Sequence, residues 1–356
     1  MKSLLSLNLL IKLCVLLTMV VIVLGAYTRL SDAGLGCPDW PGCYGHLLVP
    51  EQASELSAAK ALYPELTVEP HKAWLEMIHR YCAASLGFII CVIAMWSAKE
   101  KGQLQILPSA LVLLVIAQGA LGMWTVTLKL LPVVVMLHLI GGFTLLSLLY
   151  LLHCQQVRTL RVNTNESQHL ENRDENRGVF PRKLAILSIV VLLGQILLGG
   201  WTSSNYAALM CTSLPICQGD WLSQLNFTQA FDLLQSGHDN YEFGVLDYSA
   251  RMTIHVSHRF GAILTTAVLL GLISQLWSHP LASLRGPGRV LLLLLIGQIA
   301  LGISNVLYQL PLSVAVAHNL GAALLLLCLV RINYVLSIQT VKIKHSQPMM
   351  STGGES

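Results

Sequence analysis

Eight runs of apolar residues constrain this chain more than any other feature of its sequence. They lie near 9–27, 73–97, 105–126, 132–153, 183–202, 252–277, 288–307 and 311–335. About 20 apolar residues carry a helix across the hydrocarbon core of a bilayer. Inside lipid every backbone N–H and C=O needs a partner within the chain, so such runs become helices. The chain is 54% hydrophobic and 11% charged, against about 25% charged in a soluble domain. A soluble globular protein is excluded. The expected fold is all-α and integral to a membrane, with eight transmembrane helices.

The first run is too long for a signal-peptide core and lacks a small-residue cleavage site, so it reads as a retained span. No Arg- and Ser-rich transit segment precedes it, which favours a bacterial plasma (inner) membrane over an organelle. Orientation follows from Lys and Arg. Fifteen of the 22 fall in the N-terminal tail and the start of the first span, the links 98–104, 154–183 and 278–289, and the C-terminal tail. The other seven are Arg29, Lys60, Lys72, Arg80, Lys129, Arg251 and Arg259. Both termini are expected in the cytoplasm, with the long loops 28–72 and 203–250 outside.

The chain contains a duplication. Gly25-Ala-Tyr-Thr28 matches Gly199-Gly-Trp-Thr202, and Cys37 and Cys43 match Cys211 and Cys217, all at an offset of 174. His79-Arg80 matches His258-Arg259 at 179, and Gln118-Gly-Ala-Leu-Gly122 matches Gln298-Ile-Ala-Leu-Gly302 at 180. Leu131-Pro132 and His138 recur as Leu310-Pro311 and His318. Each copy holds four spans, an even number, so the copies share one orientation and a pseudo-two-fold along the membrane normal. The expected units are an N-terminal four-helix half (1–153), a polar cytoplasmic linker (154–182), a C-terminal four-helix half (183–340) and a cytoplasmic tail (341–356).

Four histidines fall at matched depth. His79 and His258 lie near the outer ends of the second and sixth spans, and His138 and His318 near the outer starts of the fourth and eighth. One imidazole from each of two helices at one depth suits axial ligation of a haem iron between them. The plain alternative, a histidine bonded to a neighbouring helix, has to account for four in duplicate. Zinc or copper would want three or four ligands close together, and each half offers fewer. Arg80 and Arg259 each follow a histidine. They read either as side chains reaching for the headgroups or as partners of haem propionates.

Glu76 breaks the symmetry. It precedes His79 by three residues and so shares its helix face, about one turn outward. His255 replaces it in the second copy. One reading is a helix-start acid beside Lys72; the other is a carboxylate aimed at a group bound at His79. The asymmetry points to one chemical site and one electron-carrying site.

Five cysteines (Cys14, Cys82, Cys91, Cys154, Cys328) lie in or beside apolar runs and read as small packing residues. Cys37–Cys43 and Cys211–Cys217 each enclose five residues in an outer loop and are expected as two disulfides. A redox role and copper binding stay open for them.

Taken together these residues resemble the haem A synthase family. The resemblance rests on Gly25-Ala-Tyr-Thr-Arg-Leu-Ser-Asp-Ala-Gly-Leu-Gly-Cys-Pro-Asp-Trp-Pro-Gly-Cys43, on Glu76-x-x-His79-Arg80, and on the histidines after Leu-Pro in spans four and eight. It covers about residues 8 to 335. It implies two pseudo-symmetric four-helix bundles and oxidation of a methyl group of haem O to the formyl group of haem A, by successive hydroxylations. It further implies that His79 and His138 flank the substrate haem, that Glu76 is the catalytic carboxylate, and that His258 and His318 ligate a haem b cofactor. Cys37 and Cys43 resemble the family's loop disulfide, and Cys211 and Cys217 a second pair that not all members carry. Expected partners are haem O, membrane lipid and an electron donor that the sequence does not identify. Haem O synthase, oxidase assembly factors and a second copy of the chain are further candidates, and nothing points to nucleic acid. The product would serve haem-copper terminal oxidases. Two other functions fit the residues less well: a non-catalytic di-haem b electron carrier, which leaves Glu76 without a task, and a transporter, which calls for broken helices at mid-depth.

Overall fold

The computed structural model describes residues 2–163, 182–278 and 282–346. Ten helices follow one another there: α1 (Lys2–Leu30), α2 (Ala53–Leu62), α3 (Pro70–Lys101), α4 (Ile106–Thr127), α5 (Pro132–Asn163), α6 (Arg182–Ser204), α7 (Phe227–Ala230), α8 (Tyr248–Ser278), α9 (Ala282–Leu307) and α10 (Leu312–Ser346). Eight of them, all but α2 and α7, are long and apolar enough to cross a membrane. The described residues contain no strand, only an isolated bridge between Cys43 and His46. The chain is thus an all-helical, multi-pass membrane protein.

Several helices outrun their apolar stretches. The stretch marks only what lies in hydrocarbon, while the i→i−4 ladder continues wherever water can solvate polar side chains. Accordingly α5 takes residues 154–163, which were expected to begin the polar linker. Residues 164–181 of that linker lie outside the described residues. Helix α10 likewise runs through the start of the expected tail to Ser346, and 347–356 lie outside the description.

Packing follows the same plan in both parts of the chain. Helix α1 packs on α3 and α5, with α4 against α3 and α5. In the same way α6 packs on α8 and α10, with α9 against α8 and α10. The parts meet through α1 with α10 and α5 with both α6 and α10. One apolar cluster runs through all of them, including Ile11, Ile90, Leu111, Phe143, Leu269 and Leu329. Facing outward are Phe88, Leu113, Ile116 and Leu293, each well exposed, which is the apolar rim lipid requires.

Helix ends at the long-loop side recur in matching form. Asp32 and Tyr206 take left-handed φ of 51° and 52°. Beyond each, the chain closes by Ala33 N–H to Thr28 O and Ala207 N–H to Thr202 O, both 2.9 Å, the pattern that satisfies orphan carbonyls at a helix C-terminus. Lys129, Leu130, Gln309 and Leu310 are also left-handed, an uncommon state for non-glycine residues. It lets α4 reverse into α5, and α9 into α10, within a few residues.

The two parts also touch at equivalent positions. Arg29 Nη2 donates to Ser203 O (2.9 Å) and the Tyr206 hydroxyl donates to Asp32 Oδ1 (3.1 Å), both at the offset of 174. Arg29 sits 4.2 Å over the Tyr206 ring, a cation–π contact. A residue that meets its own counterpart stands where a two-fold axis would pass.

Candidate functional site

The four histidines gather at the long-loop end of the bundle, beyond the shared apolar core. His79 is on α3 and His138 on α5, and their ring centroids are 6.5 Å apart with an interplanar angle of 76°. His258 is on α8 and His318 on α10, the helices that correspond to α3 and α5. Each imidazole rests on a glycine of a neighbouring helix. A Cβ at Gly25 would stand 2.9 Å from His79 Cε1, at Gly199 3.1 Å from His258 Cε1, at Gly302 3.2 Å from His318 Cε1 and at Gly122 3.5 Å from His138 Cε1. Gly25, Gly199 and Gly302 thus have a concrete role, since a side chain there would push on the ring, whereas at Gly122 a Cβ would only reach ordinary van der Waals contact.

Nδ1 of His79, His138 and His318 is buried and makes no hydrogen bond of normal geometry. The backbone carbonyls of Val21, Gln118 and Gln298 are their longer-range neighbours. His258 Nδ1 instead lies 3.0 Å from Gln195 Nε2. Among the described residues no group of three or more His, Cys, Asp or Glu could hold a metal. What the fold offers is paired imidazoles.

Glu76 is buried at 5% relative exposure and belongs to a strap over the outer turn of α3. Its Oε1 accepts from Arg80 Nη2 at 2.5 Å and its Oε2 from the Cys37 N–H at 2.9 Å. Arg80 Nη1 donates to the carbonyls of Asp39 (3.0 Å), Pro41 (3.3 Å) and Gly42 (2.5 Å). The loop reaches α3 because residue 36 is glycine: a Cβ there would stand 2.6 Å from the Lys72 carbonyl carbon. Asp39 closes the loop on itself, accepting from Tyr44 N–H (2.6 Å) and Gly45 N–H (2.8 Å). Cys37, Cys43, Tyr44, Val49, Ala73 and Met77 form an apolar cluster beneath it. The Tyr44 phenol is pushed up by burial and then by the charges of Glu69, Asp39 and Glu76; it donates to Thr67 O at 3.1 Å.

The second long loop is held by the corresponding arginine, Arg259, without the acid. Arg259 Nη1 donates to Ser213 O (2.7 Å) and Pro215 O (3.3 Å), and Nη2 to Cys211 O. His255 stands where Glu76 does, buried, with Nδ1 unpartnered. Arg80 and Arg259, expected at the headgroups or on propionates, therefore direct donors at loop carbonyls. A guanidinium carries five N–H groups in a fixed fork, which suits gathering several carbonyls at once.

The loop sulfurs lie at disulfide distance, 1.98 Å for Cys37 and Cys43 and 2.09 Å for Cys211 and Cys217. The five cysteines read as packing residues are all unpaired, Cys14 and Cys154 fully buried.

Sequence reading brought the four histidines, Glu76 and the arginines to one end of the bundle, where the structure places them. It missed Asp39, Gly36 and the contacts of three glutamines, Gln118, Gln195 and Gln298. Gln118 and Gln298 enter the sequence reading only as landmarks of the repeat, and nothing in the sequence shows what a lone amide in a helix touches.

The chain is similar to known proteins over nearly its whole length. The family model COX15-CtaA, described as cytochrome oxidase assembly protein, matches residues 8–330. A Heme A synthase of Shewanella oneidensis is 53% identical over 328 residues, covering 92% of this chain and 96% of the relative. The Heme A synthase of Maricaulis maris is 26% identical, covering 87% and 89%. That of Shouchella clausii is 27% identical, covering 87% and 91%.

Proposed function

The chain belongs to the COX15-CtaA family, and from that premise we propose that it is a haem A synthase, a membrane oxidoreductase that converts haem O to haem A. The similarity to a Heme A synthase at 53% identity across 92% of the chain is the observation that carries this reading.

The N-terminal half (1–153) is the reacting one, with His79 and His138 on either side of the substrate haem O. The facing imidazoles fit such a group. Metal–nitrogen bonds of about 2 Å set two ligating ring centroids roughly 6–6.5 Å apart, and the observed separation is 6.5 Å. His258 and His318 in the C-terminal half (183–340) hold a haem b cofactor, whose iron supplies one-electron storage when bound.

Glu76 is the catalytic carboxylate. Its helix places it three residues from His79, and Arg80 and the Cys37 amide fix both of its oxygens. Such pre-positioned negative charge stabilises positive charge that develops on a substrate, and its remaining lone pairs can accept a proton. Water is kept from this point by the buried cluster beneath the loop. Arg80 and Arg259 fasten the loops; a haem propionate at either guanidinium would share it with loop carbonyls.

The Cys37–Cys43 and Cys211–Cys217 pairs are structural disulfides that close the two loops, supported by their sulfur separations. Thiol labelling of membranes prepared without reductant is expected to leave all four unreacted, and labelling of both pairs would overturn the assignment. The membrane is a bacterial plasma membrane with both termini in the cytoplasm. The excess of Lys and Arg in the links opposite the long loops supports that orientation.

Extraction of pigments from the purified chain tests the reaction. Haem O or haem A is expected beside haem b. Haem b alone, under conditions that supply haem O, would favour a non-catalytic di-haem electron carrier.

A further inference from the structure

Two of the four histidines, His258 and His318, have their backbone carbonyls bonded by a glutamine side chain of a neighbouring helix; beside His138 the corresponding glutamine is present without that bond, and beside His79 there is none. Gln195 on α6 donates from Nε2 to the His258 carbonyl and contacts His258 Nδ1, both at 3.0 Å. It can do so because residue 261, one turn beyond His258, is glycine; a Cβ there would run into the Gln195 amide. Gln298 on α9 does the same for α10, donating to the His318 carbonyl at 3.0 Å from a seat on Gly321. Gln118 on α4 occupies the equivalent seat on Gly141, one turn beyond His138, but its Nε2 faces the glycine and has no hydrogen-bond partner. At His79 both halves of the device are missing. The position equivalent to Gln195 is Val21, and the position equivalent to Gly261 is Cys82. Valine has no polar side chain to bond the histidine's backbone carbonyl, although its own carbonyl neighbours the His79 ring as those of Gln118 and Gln298 neighbour His138 and His318, and Cys82 fills the seat a glutamine would need. The two changes are coupled sterically, since neither glutamine with cysteine nor valine with glycine completes the contact.

We propose that His79 is the exchangeable axial ligand of this protein, and that Gln195 and Gln298 are positioning residues that hold His258 and His318. The proposal rests on the reading that the four histidines ligate haem. A resident haem has to stay, so both of its histidines are tied. A substrate haem has to enter and its product leave, so one of its two histidines is left free to give way. Groups that orient a metal-binding histidine typically change metal affinity 10–100-fold, enough to separate a resident group from an exchanging one.

The full-length protein tests this through the rate at which ferric haem passes to excess apomyoglobin, with the low-spin haem signal recorded by electron paramagnetic resonance. Each half is read in the background that disables the other. Val21→Gln with Cys82→Gly, made in His258→Ala, installs the support at His79 and is expected to slow haem loss about tenfold. Gln195→Val with Gly261→Cys, made in His79→Ala, removes it at His258 and is expected to speed haem loss about tenfold and to broaden the low-spin signal. If the second pair does not accumulate, the installed pair decides alone. Unchanged transfer rates overturn the proposal. Haem content that is indifferent to both His79→Ala and His258→Ala would instead overturn the underlying assignment of the ligands.

Discussion

Glu76→Gln leaves haem bound and lowers haem A formation by about 10²–10⁴-fold, the range for loss of a positioned acid–base group. The substitution keeps the shape of the side chain and removes its charge. The loop stays seated, because Arg80 retains the carbonyls of Asp39, Pro41 and Gly42 and the amide oxygen can still accept from Cys37 N–H. Both members of the ion pair are largely buried, at 7% and 13% side-chain exposure. Removing one partner of a buried pair costs about 3–5 kcal/mol when the other is stranded; the three carbonyls make the actual loss smaller. Haem O or a hydroxylated intermediate accumulates in the extracted pigment. Normal haem A output from this variant would end the assignment of Glu76 as catalytic.

His258→Ala empties the C-terminal half. The haem content of the protein is expected to fall by roughly half, with loss of the low-spin b-type spectrum and haem A output at background, if His258 is one of two axial ligands as proposed. His258 packs against Gly199 at close range and against Gln195, so the truncation leaves a gap beside the Gln195 amide, which keeps its bond to the backbone carbonyl of residue 258. Haem stoichiometry and visible spectra of the purified variant measure the effect, and an unchanged ratio of haem to protein would refute ligation by His258. The two variants differ in kind: one keeps its pigments and stalls, while the other loses a pigment.

Much of this was legible before any coordinates. Eight apolar runs give eight spans because hydrocarbon tolerates few alternatives to a helix. The duplication could be read from landmarks such as His79-Arg80 and His258-Arg259, since matched residues at steady offsets survive differences in loop length. Glu76 stood out because one copy has it and the other has His255. Helix ends were less legible. Leaving hydrocarbon does not end a helix, so α5 continues through residues 154–163.

The sequence by itself determined the class of fold, the eight spans, the recurring landmarks and the side chains that meet at one end. Each of these depends on composition, period or spacing, which are properties of the chain read locally. Only the tertiary structure decided what those side chains touch. It turned Arg80 and Arg259 toward loop carbonyls, fixed Glu76 between Arg80 and the Cys37 amide, and seated Gln195 and Gln298 beside histidines of other helices. These contacts depend on how far each helix is rotated and how closely two backbones approach, which a glycine permits but does not announce. For that reason the missing support at His79, a valine and a cysteine 61 residues apart in the chain, becomes visible only once α1 and α3 are packed together.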